Sequence, residues 1–433
     1  MTLPDRSSLS RRDYVRGLVA AGGATALGAC LDVTSDGPEP DVPSGTDDPA
    51  SLPDRQHAWN DSLSTDADGT IQLPEHHVLC PLALSDAIAD GTDIDDERRE
   101  TVEAGLQTLE RAYEWSNEGL VFTIGYTPAY FARFDDSLPD SVDLPDPEAL
   151  TAQETPEFDE FDALLHLASD HPSVVLEAEE GLFGDREQLN GLEVETDLSD
   201  VFDRVVQHRR TGFIGEGLPA EHADVDGVPD SIHENAPFFM GFRSGFADSQ
   251  ATEDRVTIED GPFAGGATMH VSSMAINLTQ WFQQENHYQR VSKLFSPDHA
   301  DEELAGEYGE ALGGSSAMTP DRIDATEADA RERGVVGHAQ KAARAREDGE
   351  PLLLRRDFNT VDGDQPGLHF VSLQDEIDAF VRVREAMTGT DLEVARANSG
   401  ILHYLFVNRR GNYLLPARDA RAVPTPTSDS TDV

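Results

Sequence analysis

Strand-like and helix-like patterning alternate twice along this chain, and that double alternation limits the folds open to it. In the first round, residues 76–84 (His-His-Val-Leu-Cys-Pro-Leu-Ala-Leu) read as a strand. A helix follows over residues 96–115, with Val102, Leu106, Leu109 and Tyr113 spaced to share one face. Residues 120–126 and 161–168 read as strands and 173–182 as a helix. The second round has a strand at 267–274, a helix at 279–294, strands at 352–358 and 368–373, a helix at 375–387 and a strand at 401–407. Two such rounds predict an α+β fold of two units, each an antiparallel sheet with helices packed on one face. Gly, Pro and Asp cluster over residues 210–235, which places an N-terminal domain at 56–220 and a C-terminal domain at 221–421. About 380 residues outside the leader suit two domains better than one. No repeat is visible at the level of residue identity.

The charge balance narrows the partners. The chain carries 84 acidic against 32 basic residues, a formal net charge of −52. Such a surface repels phosphate backbones and anionic headgroups, which argues against nucleic acid as a partner. High charge with modest hydrophobicity is the usual mark of disorder, yet apolar patterning persists through most of the chain. A folded protein adapted to concentrated salt reconciles the two, because near 1 M salt the Debye length falls to ~3 Å and screens most self-repulsion.

The first thirty residues read as an address rather than a fold. Ser10-Arg11-Arg12-Asp13-Tyr14-Val15 is a twin-arginine start, followed by a Gly/Ala-rich run from Gly17 to Ala29. That run is too short for a bilayer, which needs ~20 apolar residues. Leu27-Gly28-Ala29-Cys30 resembles a lipobox, which predicts export, lipidation of Cys30 and membrane association only through that anchor, on the outer face. An ordinary cleavable signal with an incidental cysteine is the alternative. Cys80, the other cysteine, is then left without a disulfide partner and suits a buried thiol. Residues 31–55 and 422–433 lack periodicity and predict a disordered tether and tail.

No Walker A loop, dinucleotide glycine fingerprint, HExxH helix or GxSxG elbow is present. Among fourteen histidines, His338 stands out, in Gly337-His338-Ala339-Gln340-Lys341 ahead of a short basic run ending at Arg346. Read by spacing alone, a surface histidine in a polar loop is the simpler account. Seventeen residues later, Arg355 and Arg356 interrupt an apolar strand-like run and so point to opposite faces. An arginine there is costly unless paired, so one of them predicts a buried anionic partner: a ligand or a neighbouring carboxylate. Arg355, Asp357 and, if the strand continues, Asn359 share a face. His76, His77 and Cys80 suggest a metal group, but neighbours on a strand diverge, and they read as strand residues. Trp281, Phe282 and Tyr288 read as packing. Asn60-Asp61-Ser62 and Asn277-Leu278-Thr279 are glycosylation-type triplets.

From His338 through Leu354-Arg355-Arg356 to the run Gly367–Gln374, the chain resembles the haem-binding half of the dye-decolourising peroxidases. Arg55-Gln56-His57-Ala58 and the run from Gly119 to Pro128 look like that family's first-domain opening and a following strand. Met240-Gly241-Phe242-Arg243-Ser244-Gly245-Phe246 falls where the family has its GxxDG motif, and Gly265–Val271 matches the strand after it. The resemblance implies a haloarchaeal-like member with two ferredoxin-like domains, of the dimeric α+β barrel type, and haem b mainly in the second. It implies His338 as the iron ligand, Arg355 over the opposite face, and hydrogen peroxide and an organic reductant as partners; a homo-oligomer is compatible with it.

Two departures follow from the same comparison. The family's aspartate is Ser244 here, and a serine cannot act as a carboxylate base. Asp357 is the expected replacement, with Asp248 its rival. The family's Gly-Arg after the second-domain helix is absent around Ser292-Lys293, so Lys293 or Arg290 is expected to hold a haem propionate. The expectation is thus an exported haem-dependent peroxidase. The alternatives are a haem-binding or iron-handling lipoprotein with little turnover, and a haem-free structural lipoprotein.

Overall fold

A computed structural model describes residues 41–88 and 91–427 of the 433-residue chain. The twin-arginine segment, Cys30 and residues 428–433 lie outside the described residues. No described helix is long and apolar enough to cross a membrane.

Nine strands carry the fold. They are β1 (His76–Leu84), β2 (Val121–Tyr126), β3 (Ala163–Ser169), β4 (Arg210–Phe213), β5 (Ala267–Ile276), β6 (Leu354–Arg355), β7 (Phe358–Thr360), β8 (Gly367–Gln374) and β9 (Leu405–Leu415). In the first half, the antiparallel neighbours run β4-β1-β3-β2; in the second they run β7-β8-β5-β9, with β6 also on β8. The two sheets join edge to edge, so the strands close into an antiparallel barrel. Each seam is narrow: Leu414 pairs with Tyr126 at one, and Asn359 with Phe213 at the other. Closure leaves the barrel strands without a free edge along these seams.

Period-two alternation then sorts the side chains. Leu79, Leu164, Met269, Val271, Leu354, Phe358, Val371, Leu373, Tyr413 and Leu415 fill the barrel interior. His77 and His166 join them there, hydrogen-bonded to each other at 2.9 Å, with His77 stacked on Phe358. Outside the first half, α1 (Asp96–Ala112) and α2 (Pro172–Leu182) bury Val102, Leu106, Leu109, Val174, Val175 and Ala178 against Val78, Cys80 and Leu82. Helix α1 is N-capped by Asp95, which accepts from the Arg98 backbone at 3.0 Å. Outside the second half lie α3 (Leu278–Gln284), α4 (His287–Leu294), α5 (His338–Ala342) and α6 (Ile377–Thr388).

Several expectations shift. The helix expected over 279–294 is two helices, because Asn286 and Gln289 form a reciprocal capping box that starts α4 afresh. The strand expected over 352–358 is interrupted between β6 and β7, where the Asp357 carboxylate takes the Val371 N–H at 3.1 Å. The last strand begins at Leu405 rather than 401, opposite Ile276. Residues 41–55, expected as tether, pack on the domain: Thr46 N–H donates to Glu110 O at 3.1 Å and Glu114 N–H to Pro43 O at 3.0 Å. The expected tail is likewise docked as far as it is described. Val423 is fully buried and donates to the Tyr126 hydroxyl at 3.0 Å, and Pro424 O accepts from Tyr130. Hydrogen bonds made by the backbone of both segments, to main chain in one and to tyrosine hydroxyls in the other, hold them, and composition carries no signal for those.

Candidate active site

A cavity of about 1330 Å³ lies between the outer face of the second-half sheet, helices α5 and α6, and the loop that carries Met240 to Phe246. Met274, Leu368 and Phe370 supply its sheet wall; Phe380, Val383 and Met387 supply the α6 wall. Strand β9 contributes through a bulge. The register pairs Leu405 with Ile276, Val407 with Met274 and Arg410 with Ser272, so the extra residue Asn408 keeps Leu405, Val407 and Arg410 on the cavity side.

His338 opens α5 and lines this cavity. The segment before it is laced to the turn at Arg396–Asn398: Val336 N–H donates to Asn398 O at 3.0 Å, and Gly400 N–H to Val336 O at 2.9 Å. Gly400 then packs on the His338 backbone where a Cβ would crowd it. The ring is held by packing alone. Its Nδ1 is buried without a partner, and neither ring nitrogen makes a hydrogen bond among the described residues. Burial, then the nearby cations Lys341, Arg355 and Arg384, lower its pKa to about 3. The imidazole is therefore neutral at ordinary pH, the form a metal ion requires.

Arg355, Asp357 and Ser244 meet at a second part of the wall. Arg355 Nη1 lies 3.3 Å from Ser244 Oγ and 3.4 Å from Asp357 Oδ2. Burial raises the Asp357 pKa to about 6, opposed by Arg355 and by the Val371 N–H on Oδ1. The same three residues also wall a second cavity of about 480 Å³. The cluster thus offers a cation, a carboxylate that changes charge near neutrality and a hydroxyl.

Arg356 faces the other way, as alternation requires. It is buried against Glu253 at 3.2 Å, donates to Asn60 Oδ1 at 2.7 Å and lies over the Trp59 ring. Both arginines thus have a carboxylate in contact, but only Arg355 lines the larger cavity. Asn359 also reaches the cavity wall, and its amide pins the loop ahead of Ser244. It accepts from Phe239 N–H and donates to Pro237 O and Phe213 O.

Lys293 and Arg290 do not join this site. Lys293 is buried with Glu285 at 2.6 Å and also reaches the Tyr404 hydroxyl at 3.1 Å, because a buried ammonium requires a paired carboxylate. Arg290 donates to the Glu285 carbonyl and lies over Phe282. Neither lines the cavity. Asp248, the rival acid, is engaged with Ser315 and Ser316 instead. Other cavity residues were not foreseen, among them Arg384, Arg396 and Arg410, since nothing local in the sequence places them beside His338.

Residues 74–417 match a sequence family described as a family of unknown function (DUF7405). The chain belongs to that family. No curated protein matches the DUF7405 chain. Its fold is similar to that of the encapsulated DyP-type peroxidase from Mycobacterium smegmatis, with a TM-score of 0.54 and 15% identity over 82% of this chain and 97% of that one. The dye-decolorizing protein from V. cholerae gives a TM-score of 0.51 and 14% identity over 81% and 96%. A dye-decolorizing peroxidase from Bacteroides thetaiotaomicron gives 0.51 and 12% over 83% and 98%. At such identities the likeness establishes the fold: a mixed α/β architecture built on an antiparallel barrel.

Proposed function

We propose that this protein is an exported haem-dependent peroxidase, built of two ferredoxin-like units, that reduces hydrogen peroxide at the expense of an organic donor. The observation that carries the reading is His338, a neutral, unpartnered imidazole on the wall of a large, largely apolar cavity that also holds Arg355 and Asp357. Those residues fit haem b. His338 would hold the iron through its free ring nitrogen, and the apolar sheet and α6 walls would enclose the macrocycle. Haem, when bound, would supply the redox chemistry for peroxide reduction.

The chain's own groups supply the rest. Arg355 offers guanidinium N–H groups to an oxygen on which negative charge develops, a contribution of ~2.7–4 kcal/mol per donor lost in comparable sites. Asp357 Oδ2 takes up a proton once ionised. Ser244 Oγ holds Arg355 in place and replaces no acid. Ser244 is also the observation that favours a second reading, a haem-binding protein with little turnover. The twin-arginine pair and Cys30 support export and a lipid anchor on the outer membrane face.

The first test is spectroscopic. Protein purified from a high-salt host should show a Soret band that His338→Ala removes. Arg355→Ala should keep the band and slow the peroxide reaction about 10²–10³-fold. A protein that takes up no haem ends the proposal; full haem loading with no peroxide reaction leaves the second reading.

A further inference from the structure

The lining of the cavity has the opposite balance of charged residues to the chain as a whole. Acidic residues outnumber basic ones 84 to 32 in the chain, yet nine arginines and only four carboxylates line the cavity. Most of those arginines have a carboxylate in contact, as Arg384 and Arg410 share Glu154 at 2.5 and 2.8 Å. Two do not.

Among the described residues, every lysine and arginine has a carboxylate within 4.0 Å except Arg111, Arg290, Lys341, Arg346 and Arg396. Only Arg346 and Arg396 of these five line the cavity. In so acidic a chain, an arginine without a carboxylate is conspicuous, and here two share one cavity. Their places in the chain add to this. Arg346 follows the turn Ala343–Ala345 that continues α5 from His338, and its guanidinium meets only the backbone carbonyls of Asp248 and Gly349. Arg396 begins the turn whose Asn398 O accepts from Val336, two residues before His338. The two arginines therefore flank the His338 segment, one at each end.

We propose that Arg346 and Arg396 form a carboxylate-binding site of this cavity, a role the sequence had assigned to Lys293 or Arg290. Arginine suits it, because the planar guanidinium presents paired N–H groups to both oxygens of a carboxylate. The ligand is a carboxylate-bearing organic molecule. Its carboxylates belong either to the macrocycle or to an aromatic acid that enters beside it. The inference rests on the haem reading only for the first source.

The test uses the full chain and iron-free protoporphyrin IX, which takes His338 coordination out of the readout. Binding of the free diacid and of its dimethyl ester is followed by quenching of tryptophan fluorescence. Wild type should prefer the diacid by about tenfold or more. That preference should collapse in Arg346→Gln/Arg396→Gln and be partly restored in Arg346→Lys/Arg396→Lys, with circular dichroism unchanged. This outcome supports the site and assigns the carboxylates to the macrocycle. If the preference is equal in all three proteins, 4-hydroxybenzoate is titrated calorimetrically into haem-loaded protein. Loss of that binding in the glutamine variant supports the site and assigns it to an aromatic acid. Unchanged porphyrin preference together with unchanged 4-hydroxybenzoate binding overturns it. Should neither porphyrin bind, the haem reading is left to the Soret test above, and the arginine site stands or falls on 4-hydroxybenzoate binding to unloaded wild type against the glutamine variant.

Discussion

Arg355 and Arg356 are adjacent and chemically identical, yet one faces a cavity and the other is locked to Glu253 beneath Trp59. Neighbours in an extended segment point to opposite sides, which is why the difference was legible in the sequence. The company that Arg355 keeps was legible in part: Asp357 shares its face by the same period, whereas Ser244 is brought from more than a hundred residues away. Lys293 shows the limit. Its ion pair with Glu285 depends on where a helix stops and restarts, and an apolar period does not report that. Asp357 carries a pH prediction. With its pKa raised to about 6, the carboxylate is mostly protonated below that value and ionised above it. Peroxide reaction rates in haem-loaded protein should therefore rise with pH through about 6, and Asp357→Asn should flatten the step. Arg355, 3.4 Å from Asp357 Oδ2, opposes the rise in pKa that burial causes. Stopped-flow traces identical for both proteins across that range would refute the role.

At the level of elements, the capping box at Asn286 decides more than a helix boundary. By ending α3 at Gln284, it leaves Glu285 free to meet Lys293 and the Tyr404 hydroxyl, which donates to Glu285 at 2.8 Å. The pair is buried, so removing one partner strands the other charge. Glu285→Ala should lower unfolding stability by about 3–5 kcal/mol, read as a shift of the urea midpoint. A change within about 0.5 kcal/mol, typical of a surface site, would show that Lys293 finds water or another partner. The strands themselves were largely legible, because barrel strands are flanked on both sides and their apolar runs are strong. The seams were not. One pair at Leu414–Tyr126 and one at Asn359–Phe213 close the barrel, and contacts so sparse leave no periodic trace.

For the whole molecule, a net charge of −52 is a standing load on the folded state. Raising salt from 0.1 M to 1 M contracts the Debye length from ~10 to ~3 Å. The thermal midpoint should climb over that range in potassium chloride, and a midpoint indifferent to salt would mean that the acids are balanced by local pairs. Charge alone identified the unlikely partners, but it hid the arginine-lined cavity, whose residues converge only after folding. The two halves of the barrel also differ in one respect. Helices α1 and α2 close on the first sheet with interlocking aliphatic side chains, while α6 and the second sheet line a cavity of about 1330 Å³. Whatever occupies that space completes the packing as much as it performs chemistry, and at a hundred times its dissociation constant it would add about 2.7 kcal/mol to stability. Loading and folding are then two views of one equilibrium, and an empty protein would be the form most exposed to proteolysis.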